Sequence, residues 1–105
     1  MEARVYEVES KEQAKLKKIL DADPYSEKSF SRVGYKLKEG KTLGADAAKY
    51  YLYFKAEADF FKFAEEKFKE VASVKRAQNE TEEKIIASIQ EEENAAEAGF
   101  GSMFG

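Results

Sequence analysis

The stretch Lys49-Tyr50-Tyr51-Leu52-Tyr53-Phe54-Lys55 decides the fold. It holds five consecutive large side chains, four of them aromatic, and such a run favours a strand. A strand sends alternate side chains to opposite faces. Tyr50, Leu52 and Phe54 therefore share one face and read as core. Tyr51, Tyr53 and Lys55 share the other. A single helix from Ala45 to Val71 is the competing reading, because no Gly or Pro interrupts that span. The β-favouring tyrosines and Gly44 stand against it.

Working outward, Val5, Tyr6 and Val8 alternate within Arg4 to Glu9 and predict a first strand. Ser10 and Gln13 have capping-box spacing. Leu16, Ile19 and Leu20 form the stripe of the helix that follows, and Asp23-Pro24 is its expected stop. Phe30 to Lys38 alternates through Val33, Tyr35 and Leu37 and predicts a second strand. Glu39 to Gly44 reads as a turn. Beyond the aromatic strand, Phe60, Phe61, Ala64, Phe68 and Val71 lie on one face of a helix over Glu57 to Val71. A short strand is expected between Val71 and Arg76. Ile85, Ile86 and Ile89 predict a last helix at about 80–98, stopped by Gly99. Residues 99–105 then read as a flexible Gly/Phe tail.

The order β-α-β-β-α-β-α predicts a two-layer α+β domain of ferredoxin-like type, with an antiparallel sheet and an extra C-terminal helix. At 105 residues the chain is one domain, residues 1–98, plus the tail.

Composition narrows the chemistry. Cysteine and histidine are absent, which removes disulfides, thiolate zinc sites, thiol nucleophiles and the commonest general base. No apolar run approaches the length of a membrane span, and Met1-Glu2-Ala3-Arg4 lacks a signal region. A soluble, cytoplasmic protein is expected. Charged residues make up 37% of the chain, against a usual ~25%. This Lys/Glu-rich, Cys-free composition is one that heat-adapted proteins favour. Residues 1–76 hold 17 Lys and Arg against 14 Asp and Glu, and residues 77–105 hold one Lys against seven Glu. The body is thus basic at +3 and the last segment acidic at −6.

No residue set points to catalysis. Glu91-Glu92-Glu93 fans around a helix and cannot converge on one ion. Gly34 to Thr42 resembles a phosphate-binding loop but has five residues between its glycines where four are needed. No cofactor or metal is expected.

The candidate interaction face is the second face of the sheet, carrying Tyr51, Tyr53 and Lys55 with Phe30, Arg32 and Lys36 from the neighbouring strand. Three occupants compete for it: the last helix or tail, a second subunit or other protein, and single-stranded nucleic acid. Aromatic platforms flanked by cations suit the last of these, since any base can stack. However, Lys49 to Phe54 lacks the glycine of the RNA-recognition signature. Phe100, Met103 and Phe104 are candidate anchors in the tail, because a few aromatic anchors can dominate an interface. The leading expectation is a non-enzymatic protein-interaction or assembly domain, homodimeric or part of a larger assembly. RNA or single-stranded nucleic-acid binding is the alternative.

Overall fold

The aromatic run is a strand, and it lies inside the sheet. A computed structural model describes residues 2–22, 25 and 28–104, with side chains of 94–104 outside the description. The elements are β1 (Glu2–Glu9), α1 (Gln13–Asp21), α2 (Phe30–Val33), β2 (Tyr35–Glu39), β3 (Lys49–Ala56), α3 (Ala58–Phe68), β4 (Lys75–Arg76) and α4 (Asn79–Phe104). The four strands form an open antiparallel sheet in the order β2-β3-β1-β4. The chain is a small α+β domain, and no described helix is long and apolar enough to cross a membrane.

The period-2 pattern of β3 divides two cores. Leu52 and Phe54, with Tyr6 and Val8 from β1, face a layer of α1, α2 and α3. There Phe54 meets Phe61 with ring centroids 5.1 Å apart, and Tyr6 meets Phe68 at 5.0 Å. Leu16 and Leu20 close this core from α1. Tyr51, Tyr53 and Val5 face the other way, against Ile85 and Ile89 of α4.

Three local expectations are corrected. Phe30 to Val33 is a helical turn, not the start of a strand: the Arg32 amide donates to Ser29 Oγ (3.3 Å). Gly34 then turns the chain at φ 81°, where a side chain would be strained. Phe30 is carried into the helical layer, with its ring 5.2 Å from Phe60 and 5.6 Å from Phe68. The Ser10 capping box does not form. Ser10 opens a 3-10 turn, and its carbonyl accepts from the Gln13 amide. Gly99 does not end α4, whose backbone continues to Phe104. The α1 helix ends at Asp21; Asp23 and Pro24 lie outside the described residues.

Gly40 is required by a close approach. A Cβ there would lie 1.9 Å from the Asp46 carbonyl oxygen. This crossing pins the loop that delivers Leu43 beneath α4.

Candidate functional site

The candidate face exists as a face, and α4 lies on it. Tyr51 and Tyr53 are only 3% and 5% exposed. They pack with Val5, Leu43 and Ala77 under Ile85 and Ile89. The apolar stripe read from the sequence thus has its partner inside the same chain.

Ion pairs border this contact. Lys36 Nζ lies 3.0 Å from Glu93, and Lys38 Nζ pairs with Glu92. All four side chains are partly exposed, so each pair contributes at most about 1 kcal/mol. The two buried isoleucines contribute about 1.5–3 kcal/mol each. Apolar burial holds the helix down, and the charges guide its orientation.

The predicted residues do not all meet. Tyr51, Tyr53 and Lys36 share the α4 side. Lys55 is exposed near the end of β3. Arg32 is exposed on α2, in the helical layer, and Phe30 is core on that same side. Neither residue belongs to the α4 side of the sheet, because the strand assumed to carry them begins only at Tyr35. The side chains of Phe100, Met103 and Phe104 lie outside the described residues.

Among the described residues, the Tyr53 hydroxyl beneath α4 is buried without a hydrogen-bond partner. A buried group of this kind costs about 1–3 kcal/mol. Burial also pushes the Tyr51 hydroxyl above its ordinary pKa.

Two features escaped the sequence. The first is Glu82, which fastens α4 to the sheet edge. Its carboxylate accepts from the Val5 amide (3.0 Å) and twice from the Arg76 guanidinium (2.9 Å each). Burial pushes the Glu82 carboxyl up, yet Arg76 and the Val5 amide prevail and hold it below the usual range. The acidity of the last segment was legible, but not that Glu82 reaches a target 77 positions away.

The second is a groove of about 580 Å³ between α3 and the β4 edge, lined by Arg4, Tyr6, Glu65, Phe68, Val71 and Arg76 among others. The Tyr6 hydroxyl donates to Glu65 (2.7 Å), and Arg4 also donates to Glu65 (2.9 Å) while stacking on Phe61. Burial first, then the Glu65 carboxylate, pushes the Tyr6 hydroxyl up to about 12. The cations of this groove are balanced: Arg4 by Glu2 and Glu65, Arg76 by Glu82, Lys75 by Glu7 and Lys69 by Glu66. Among the described residues the groove therefore offers no unbalanced charge for a ligand.

Among the described residues no three acidic side chains converge to hold a metal ion. No protein-family model, curated protein or solved structure matches this chain.

Proposed function

We propose that this chain is a small, cytoplasmic, non-enzymatic association domain, acting as a homodimer or as one subunit of a larger protein assembly. The observation that carries this reading is the length of α4. A helix of 26 residues spans about 39 Å, whereas an eight-residue strand such as β3 spans roughly 27 Å. Among the described side chains, Ile85, Ile89, Glu92 and Glu93 contact the sheet. Eleven further helical residues follow. In sequence they include Ala95, Ala96, Ala98, Phe100, Met103 and Phe104 with a single charge, Glu97. A helix longer than the strands beneath it, with an apolar C-terminal sequence, suits recognition by another protein.

The test is solution mass by light scattering. The full chain is expected to exceed 11.9 kDa. A chain ending at Glu93 is expected to keep its fold and to associate more weakly. Equal association of both chains would remove the C-terminal segment from this reading.

The fold reading extends to the ferredoxin-like type. Its support is the β-α-β-β-α-β succession of the main elements, with α2 and α4 as additions and the sheet antiparallel throughout.

Single-stranded nucleic acid is the second reading, favoured by the unsatisfied Tyr53 hydroxyl and the lysines around it. It requires α4 to lift. Exposing two isoleucines costs about 3–6 kcal/mol, and two tyrosine stacks return about 2–6 kcal/mol. Val5 and Leu43, uncovered by the same movement, tip the balance toward the closed helix. Affinity for a labelled oligonucleotide should fall steeply with salt if this reading holds. No binding at low salt would remove it.

A further inference from the structure

We propose that the outer edge of β2 pairs with β2 of a second copy of this chain, antiparallel across a two-fold axis at Leu37. This names a surface for the association reading and rests on it. The free groups follow from the hydrogen-bond register. On β1, the Val5 carbonyl accepts from Ala77 and the Glu9 amide donates to Ser73, both toward β4, whereas the Ser10 amide donates to Ala48 beyond β3. Main-chain direction alternates along an antiparallel strand. Arg4, Tyr6 and Val8 therefore bond to Phe54, Leu52 and Tyr50, and Tyr53 and Tyr51 bond to Lys36 and Lys38. Tyr35, Leu37 and Glu39 are left with N–H and C=O groups pointing out of the sheet. The Glu39 carbonyl accepts from the Thr42 hydroxyl (2.8 Å). Among the described residues the outward groups of Tyr35 and Leu37 have no partner.

Outward groups pair only with outward groups, which fixes the register. With the axis at Leu37, Tyr35 meets Glu39 of the second copy and Leu37 meets itself, so all three residues pair. A shift of two residues leaves one unpaired on each copy. The edge also lacks its usual guard. Lysines on an edge strand ordinarily repel an incoming strand, but Lys36 and Lys38 are already balanced by Glu93 and Glu92. In the paired edges Lys36 stands opposite Lys38 of the second copy, each with its own carboxylate. Residues 35–39 contain no proline, and each finds a single partner on β3, without a bulge. Half-buried Leu37 gains an apolar neighbour. A second copy fits this edge because the register, the apolar centre and the balanced charges are all self-complementary.

The experiment uses Leu37→Lys and Leu37→Glu. At a concentration where the natural chain has twice the 11.9 kDa mass, each variant alone is expected at the single mass, since like charges then meet across the axis. An equimolar mixture is expected to regain the double mass, which also shows that both variants fold. Without any substitution, amide exchange at Tyr35 and Leu37 is expected to slow as concentration rises. A natural chain that stays monomeric at high concentration overturns the edge pairing and self-association together. A natural dimer unchanged by either variant, with no concentration-dependent protection at these amides, overturns the edge pairing alone and leaves association standing.

Discussion

Tyr53 places a hydroxyl where no group among the described residues receives it. The ring is needed, because it fills space beneath Ile85 and Ile89; the oxygen is a burden on the free protein. Tyr53→Phe keeps the ring and removes the orphan donor, so it should stabilise the fold by about 1 kcal/mol. A higher urea midpoint at unchanged slope is the expected result, and a lower midpoint would show that the hydroxyl has an acceptor. Gly40 gives the opposite kind of prediction. Gly40→Ala forces a methyl against the Asp46 carbonyl, and overpacking against backbone should destabilise by about 3 kcal/mol or more. Gly34→Ala meets no atom within 4 Å but must hold φ 81°, so about 1–3 kcal/mol of strain is expected. The two urea curves separate crowding from backbone strain. Neither effect was visible in the sequence: Gly34 read as part of a strand and Gly40 as part of a turn, and only the fold shows the positive φ of the first and the crossing of the second with Asp46.

Among the elements, alternation and helical period carried most of what was legible. The division of β3 into Leu52/Phe54 and Tyr51/Tyr53 follows from period two alone, and it places the two cores. Phe30 to Val33 failed because a local cap at Ser29 and a positive-φ glycine outweighed strand-like alternation over four residues. The fastening of α4 was illegible for another reason, since Glu82 acts on a strand near the start of the chain. That contact carries a pH prediction. The folded Glu82 carboxyl lies below its ordinary value of 4.5. A depressed carboxyl contributes stability that is present above the unfolded pKa and is lost as pH falls through the folded one. Glu82→Gln should therefore be less stable than the natural chain near neutral pH, by about 1–3 kcal/mol. The gap should narrow as pH drops below about 4.5. Urea unfolding of both chains across that window measures it, and a gap independent of pH would deny the carboxylate this role.

At the scale of the whole molecule the sequence divides into a basic body and an acidic last segment, and the structure brings the two together. That division invites an electrostatic account of why α4 covers the sheet. Magnitudes argue otherwise. The pairs Lys36–Glu93 and Lys38–Glu92 are partly exposed, so salt screens them and each contributes at most about 1 kcal/mol. Ile89 is 1% exposed in the second core, and truncating such a side chain typically costs about 2–5 kcal/mol, because a cavity remains. Ile89→Ala should therefore destabilise the protein more than Lys36→Ala and Lys38→Ala combined. Raising sodium chloride to about 1 M, where screening acts within roughly 3 Å, should lower the natural chain's stability by less than the isoleucine substitution does. Thermal and urea unfolding of the variants at low and high salt decide the matter. If the lysine variants or added salt cost more than Ile89→Ala, charge holds α4 down, and α4 would then be a cover that ionic conditions can release.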